Sequence, residues 1–314
     1  MQNKLQRDKV RTEGLEWPTV GLIALSYLVI AGLVWNHAKL PWWALIAGSY
    51  FAALHVSLQH EVLHGHPTRR RWLNESLVFF TLAFWMPYGR YRDDHLKHHN
   101  DLNLTDPERD PESYYLLPED WEVSGAAKRF VFSVNQTLGG RMLIGPGVSI
   151  IRFWASEIDA ARRGETDRLR EWTSFALSCG LSFFFITVLA GLPFWKYYLL
   201  IAYPGISLSL VRSYCEHQAA EQVGHRTIIV EASPFWGLLF LNNNLHVAHH
   251  TKPFLPWYKL PQYYFSEREV LLAKNNGYAM RGYGEIFRRF LLKAKEPISH
   301  PNVSWLRARR AKRE

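Results

Sequence analysis

Residues 18–35 read PTVGLIALSYLVIAGLVW, a stretch without a charged side chain. At a helical rise of about 1.5 Å per residue, it nearly covers a hydrocarbon core of about 30 Å. Residues 41–58 form a second such stretch, interrupted only by Ser, His and Gly. The connector 36–40 is too short for more than a turn, so the pair predicts an antiparallel helical hairpin that crosses a membrane.

The same design returns later in the chain, at 172–192 and 194–211, with Pro193 in the turn. The sequence therefore predicts an all-α membrane protein with four transmembrane helices in two hairpins. Two further apolar stretches, 77–88 and 138–154, are too short or too mixed to span and predict interfacial or re-entrant segments. No internal repeat or linker divides the chain, so we expect one domain over 1–314 that ends in a basic tail at about 288–314.

The formal net charge of +9 comes from cations that cluster beside the apolar stretches. The short connectors carry only one cation each, Lys39 and Lys196, whereas the N-terminus, the central segment and the C-terminal third carry nearly all the others. Cytoplasmic loops are enriched in Lys and Arg, so these three regions are predicted to lie on the cytoplasmic side. Membrane orientation accounts for the basic charge, and a nucleic-acid partner is not expected.

Three histidine clusters fall in the predicted cytoplasmic regions: HEVLH at 60–64, HLKHH at 95–99 and HVAHH at 246–250. Residues three and four apart share one helix face, so each cluster can direct two or three imidazoles at one point. Imidazole is a good ligand for zinc, copper, nickel and iron. With His217 the set exceeds what one four-coordinate ion needs, and two ions are the natural count. The predicted ligands are His60, His64, His95, His98, His99, His217, His246, His249 and His250.

The five remaining histidines are not expected to bind these ions. His37 and His225 look like loop residues, His66 precedes a proline, His300 lies in the basic tail, and His55 would point away from His60 and His64 on a regular helix. The two cysteines, Cys179 and Cys215, form no C-x-x-C pair, so a thiolate site is not encoded.

Over roughly residues 20–265 the sequence resembles the integral-membrane fatty acid desaturase and hydroxylase superfamily, which includes carotenoid ketolases and hydroxylases. The three clusters match its histidine boxes. The resemblance extends to Thr105-Asp106-Pro107, to 212–217, to the Asn-rich run at 242–246 and to 253–261. It implies two irons, O2 as co-substrate, His217 as the extra ligand before the third box, and oxidation of an unactivated C–H bond of a lipid.

Acidic residues near the boxes are candidates for orienting the ligands, because metal-bound imidazoles usually donate their other N–H to an acceptor. The candidates are Glu61, Asp106, Asp110 and Glu216. Glu61 is the favoured one, whereas Asp106, Asp110 and Glu216 could equally be solvated or capping acids.

Other functions remain open from the sequence. A fatty acyl chain is the favoured substrate, with desaturation or hydroxylation as the reaction; carotenoid ketolation or hydroxylation and terminal-alkene formation from a fatty acid are alternatives. His60-Glu61-x-x-His64 also fits a membrane zinc metalloprotease. That reading leaves most of the other histidines without a role. A metal transporter is disfavoured because spans one, three and four lack interior charges.

The sequence contains no dinucleotide-binding fingerprint, Walker A motif or fused cytochrome b5 signature. Electrons for O2 reduction are therefore expected from a separate donor such as ferredoxin, rubredoxin or cytochrome b5. A basic face formed by 69–71, Arg90 and Arg92 could receive an acidic carrier.

Overall fold

The computed structural model describes residues 14–99 and 101–311, and it is predominantly helical. The helices of the first half are α1 Trp17–Trp35, α2 Gly48–Leu63, α3 Arg71–Leu77, α4 Tyr88–His98, α5 Pro118–Glu122, α6 Ala126–Asn135 and α7 Leu138–Arg162. Those of the second half are α8 Leu169–Phe183, α9 Phe194–Tyr197, α10 Tyr203–Glu216, α11 Pro234–Leu239, α12 His246–Thr251, α13 Leu260–Ser266, α14 Arg268–Lys274, α15 Tyr283–Phe290 and α16 Val303–Ala311.

Shorter elements join these helices. Two π-helical segments, Phe184–Leu189 and Tyr198–Ala202, extend α8 and connect α9 to α10. The 3₁₀ turns are Trp42–Ala47, Asp101–Asn103, Val223–Arg226 and Trp257–Lys259. Strands β1 Ile229–Val230 and β2 Ala279–Met280 pair in parallel, with Ile229 opposite Ala279. This small ribbon is the departure from the all-α prediction.

Within the described residues, two helices are long and apolar enough to cross a membrane, Trp17–Trp35 and Leu169–Leu189. Both leave most of their apolar side chains uncovered by protein, as Leu28 and Leu177 show. Asn36 ends the first helix by donating from its side chain to the carbonyl of Gly32 at 2.8 Å. The four-span topology and its orientation stay predictions.

The helices that contain the second and fourth predicted spans extend beyond the apolar stretches. The second begins in a 3₁₀ turn and becomes α2 at Gly48, which runs to Leu63, because nothing breaks the helix before Gly65 with its φ of 98°. The fourth is helical from Phe194 through Glu216. Hydropathy marks where apolar residues stop, and both helices continue into polar sequence that carries histidines.

The two stretches predicted as interfacial or re-entrant differ from each other. The 138–154 stretch belongs to α7, a helix of 25 residues with Pro146 inside it. Residues 78–87, by contrast, have no helix and are partly buried. Their backbone is satisfied by side chains: Thr81 N–H donates to Ser178 Oγ at 2.9 Å, and the Leu82 carbonyl accepts from Tyr197 Oη at 2.8 Å. Irregular backbone is thus tolerated here because protein supplies its hydrogen bonds.

The predicted basic tail is largely folded. The Ile298 carbonyl accepts from Leu116 N–H at 2.9 Å, and His300 N–H donates to the Leu116 carbonyl at 3.0 Å. His300 is buried, with Nε2 at 3.1 Å from Thr105 Oγ1. The many arginines of this segment predicted a solvent-exposed tail. Its packing depends on a few buried and hydrogen-bonding residues, such as His300.

Helix α10 packs against α2 and α7, and this three-helix core positions the site. The contact with α2 is close because Gly205 has no side chain: a Cβ there would lie 2.7 Å from Ala52 Cβ. The neighbouring positions Ala52, Ala53 and Val211 are almost fully buried. The close approach places the C-terminal ends of α2 and α10 side by side.

Candidate metal centre

The nine predicted ligands converge from four helix ends. His60 lies in the last turn of α2 with His64 at its end; the second box ends α4; His217 follows α10; and the third box forms α12. They form two groups, and within each group the ligand nitrogens all lie within 4.8 Å of one another. The five-histidine group is His60, His64, His95, His99 and His249, and the four-histidine group is His98, His217, His246 and His250.

The Nε2 atoms face one another at ligand spacing. In the five-histidine group, His95 Nε2 lies 2.9 Å from His60 Nε2 and 3.0 Å from His99 Nε2. In the four-histidine group, His217 Nε2 lies 3.0 Å from His98 Nε2 and 3.1 Å from His246 Nε2. With metal–nitrogen bonds of about 2.0–2.1 Å, neighbouring ligands of one ion lie about 3 Å apart.

The two groups are adjacent. The rings of His99 and His250, one from each group, stack with centroids 4.4 Å apart and an interplanar angle of 22°. His98 and His99 are consecutive residues that serve different groups. Two ions held here would therefore be neighbours.

Three ligands have their second ring nitrogen fixed by an acceptor. His95 Nδ1 donates to Glu112 at 2.7 Å, His98 Nδ1 donates to Asp110 at 2.8 Å, and His246 Nδ1 lies 3.0 Å from Asn243 Oδ1. With the proton on Nδ1, each Nε2 carries a lone pair that points into the group. Lone pairs directed at one point need a cation between them, so the donor set fits a metal site.

The supporting acids differ from the prediction in part. Asp110 contacts a ligand directly, whereas Glu216 is held by Arg212 at 2.8 Å and lies 3.7 Å from His246 Nδ1. Glu112 and Asn243 were not singled out from the sequence. Their separations from the imidazoles they hold, 17 and 3 residues, follow no common spacing rule.

Glu61 and Asp106 are placed elsewhere. Glu61 Oε1 accepts from Trp257 N–H at 3.0 Å and lies 3.8 Å from His66 Nε2. Together with Glu16 these residues form a separate buried group. Asp106 Oδ1 accepts from the backbone N–H of Glu108 at 3.0 Å, as a loop-capping acid does.

Family membership follows from a direct comparison of the whole sequence. Residues 20–282 match the family model described as fatty acid desaturase. The chain belongs to the fatty acid desaturase family. No curated protein matches it.

In this family member, the electrostatics keep most ligands neutral. Burial, followed by repulsion between imidazoles, lowers the pKa well below its ordinary value at His95, His99, His217, His246 and His249. Neutral imidazole is the form that binds metal. For His98, burial lowers the pKa but the carboxylates of Asp110 and Glu112 outweigh it and raise the pKa to about 9, so a metal ion would displace the proton from Nε2 of this residue.

A cavity of about 640 Å³ reaches the four-histidine group of this desaturase-family protein. Its walls come from α4, the segment 107–114, α7 and α10, and they include His98 and His217. Glu112 also lines it, and burial raises the pKa of that carboxyl to about 7. The cavity therefore leads to two histidines of the four-histidine group.

Replacing Glu112 by Ala should weaken metal binding in the five-histidine group. Without its acceptor, His95 can rotate or change tautomer, and such losses lower metal affinity or activity by roughly 10–100-fold. Titration of the metal-depleted protein with Fe²⁺ measures the affinity. The matched control is Glu122→Ala on exposed α5, which should bind as the wild type does. Equal affinity in both variants would contradict the role of Glu112.

Proposed function

We propose that the chain is an O2-dependent di-iron oxidoreductase that oxidises an unactivated C–H bond of a lipid, with a fatty acyl chain as the favoured substrate and desaturation or hydroxylation as the reaction. The observation that carries this proposal is the convergence of nine histidines in two adjacent groups, one of five and one of four. Membership of the fatty acid desaturase family supports the same chemistry.

Iron is the proposed metal because the reaction needs electron transfer. Zinc has no redox chemistry, whereas iron held by imidazoles can pass electrons to O2 and supply the oxidant for a C–H bond. Desaturation converts a –CH2–CH2– unit, O2, two electrons and two protons into –CH=CH– and two water molecules. Hydroxylation converts C–H, O2, two electrons and two protons into C–OH and one water molecule.

Hydrogen bonds from neighbouring residues hold the predicted ligands in place. Asp110, Glu112 and Asn243 fix three ring orientations, so each Nε2 keeps its direction during turnover. Tyr114 Oη donates to the backbone carbonyl of His217 at 2.7 Å, and Lys295 donates to the same carbonyl. These bonds restrain the one predicted ligand that lies outside the three boxes.

The zinc protease alternative fits this geometry less well. In an H-E-x-x-H protease the glutamate acts as general base beside the metal. Here Glu61 is engaged by Trp257 N–H and lies beside His66, outside both histidine groups. His60 and His64 share their group with three further histidines, more than a zinc site with an open position uses.

The membrane setting belongs to the same proposal. We propose four spans with the histidine boxes on the cytoplasmic side, where a separate donor such as ferredoxin, rubredoxin or cytochrome b5 delivers electrons. The basic face for that donor is narrower than the sequence indicated. Arg90 is buried against Glu157, and Arg92 is bonded to Glu75 at 2.7 Å, so the exposed cations are those of 69–71.

Lipid analysis of cells that express the chain under ¹⁸O2 tests the function. We expect new acyl species that either lack two hydrogens or carry one ¹⁸O atom, and their absence when His249 is replaced by Ala. The control His37→Ala, in the first connector, should retain the products. A β-carotene-producing host separates acyl from carotenoid oxidation. If neither host formed an O2-dependent lipid product, the proposal would be overturned.

A further inference from the structure

The cavity that reaches His98 and His217 has walls of two kinds. Val56, Trp85 and Ile206 give it an apolar part suited to an alkyl chain. The remainder is strongly charged, and most of the charges are paired: Arg90 with Glu157, Arg163 with Glu165, Arg168 with Glu157, and Arg212 with Glu216. The positive charge of each of these arginines is already balanced by a carboxylate, so none of them needs an anionic ligand.

Two cations of the cavity wall, Arg141 and Arg152, have no carboxylate partner among the described residues. They are eleven residues apart on α7, about three turns, and therefore share one face of that helix. Both reach the same short segment: Arg141 Cζ lies 5.0 Å from the Tyr114 ring centroid, and Arg152 Nη2 donates to the Ser113 carbonyl at 3.4 Å. The cavity wall thus contains two neighbouring positive charges that form no ion pair with a described residue.

Arg141 is the better satisfied of the two. It is 95% buried, as its 5% relative exposure shows, and donates to the Asn135 carbonyl at 3.0 Å and to Gln136 Oε1 at 3.3 Å. The aromatic rings of Tyr114 and Tyr214 supply further stabilisation. Even so, none of these groups carries a negative charge, and a buried cation without one is costly.

Arg152 has more unused hydrogen-bond donors than Arg141 and is the better candidate to bind a ligand. Its single long hydrogen bond uses little of a guanidinium with five N–H donors, and its side chain is accessible within the cavity. Arg141, about three turns away on the same helix face, adds a second positive charge. A carboxylate or phosphate would be attracted by both charges and could accept two parallel hydrogen bonds from Arg152.

We propose that Arg152, supported by Arg141, binds the anionic head group of the substrate, a carboxylate or phosphate at the end of an acyl chain, while the chain lies along the apolar wall beside His98 and His217. This assignment rests on the proposed function. It selects an acyl substrate over a neutral carotenoid.

The segment that the two arginines contact also holds predicted metal ligands. Glu112, Ser113 and Tyr114 are consecutive; the first holds His95, the second contacts Arg152, and the third contacts both Arg141 and the His217 carbonyl. Glu112 and Tyr114 are at most about 7.6 Å apart between Cα atoms. A head group bound at this segment therefore lies next to residues that also contact the predicted ligands His95 and His217.

Equilibrium binding to the purified, metal-loaded protein in lipid nanodiscs tests the site, with radiolabelled palmitate, 1-palmitoyl lysophosphatidate and neutral hexadecanol as probes and empty discs as background. Arg152→Gln should weaken binding of the preferred anion by about tenfold or more and leave hexadecanol binding unchanged. Arg152→Lys should recover part of the loss. The matched control, Arg163→Gln at the same cavity but paired with Glu165, should bind all three probes as the wild type does.

Each outcome decides the proposal. Arg152-dependent binding of palmitate identifies a free carboxylate, and Arg152-dependent binding of lysophosphatidate identifies a phosphate head group; either supports it. Hexadecanol binding by the wild type that is as tight as the binding of both anions, or unchanged binding of both anions in Arg152→Gln, overturns it. Failure of the proposed oxidation would appear separately, as Arg152-dependent binding without an O2-dependent product.

Discussion

Replacement of His217 by Ala is expected to abolish lipid oxidation and to remove the metal of the four-histidine group. Only three of the four nitrogens would remain, and the missing one is within 3.0–3.1 Å of two other ligands. Loss of an outer partner already lowers metal affinity or activity by roughly 10–100-fold, so loss of a ligand should exceed the upper end of that range. Metal analysis and the lipid assay on the same preparation measure both effects.

The control for this variant is His225→Ala, eight positions further along the same loop region and outside both groups. It should keep the full metal content and activity. If His217→Ala did so too, the metal would not require the four-histidine group as the geometry defines it, and the family resemblance that first indicated His217 would have misassigned it.

Removal of the metal is expected to destabilise the fold strongly. The two groups join the ends of α2, α4, α10 and α12, and binding to the folded state alone adds directly to stability. With an unfolding entropy of about 2.1 cal/mol/K per residue, each kcal/mol shifts the melting temperature of a chain of this size by about 1.5 °C, so a loss of a few kcal/mol gives a decrease of about 5 °C. Thermal unfolding followed by Trp fluorescence, before and after chelation, measures it.

Restoration provides the control for the chelation experiment. Fe²⁺ should recover the melting temperature, whereas Mg²⁺ should not, because Mg²⁺ prefers oxygen ligands. A variant in which His217 and His249 are both Ala should show little further decrease on chelation. An unchanged melting temperature in the fully metal-depleted wild type would show that the imidazoles are held by packing alone.

The convergence of the histidines within each box could be predicted from sequence because local spacing determines it. Imidazoles three or four residues apart on a helix share one face whatever the rest of the fold does. The partners of those imidazoles are different. Glu112 is 17 residues from His95 in sequence, and Asn243 is 3 residues from His246. The loop conformation determines which acid or amide lies within hydrogen-bond distance of each imidazole. Glu61, adjacent to a ligand in sequence, points to His66 instead.

Some features of the fold could not be predicted, for physical reasons. Hydropathy does not indicate where α2 and α10 end beyond their apolar residues, because helix ends depend on breakers such as Gly65. Burial of His300 and irregular backbone at 78–87 depend on long-range hydrogen bonds that no local pattern encodes. The same holds for Arg152: its charge is visible in the sequence, but the missing carboxylate partner is a property of the folded cavity.

The most direct test of the account is to count and identify the metal in the active protein. Purified from cells grown with ⁵⁷Fe, the wild type should contain two iron ions per chain, one for each histidine group, with Mössbauer spectra typical of nitrogen coordination, and iron content should rise and fall with lipid oxidation. Full activity in a preparation that contains stoichiometric zinc and no iron would contradict it.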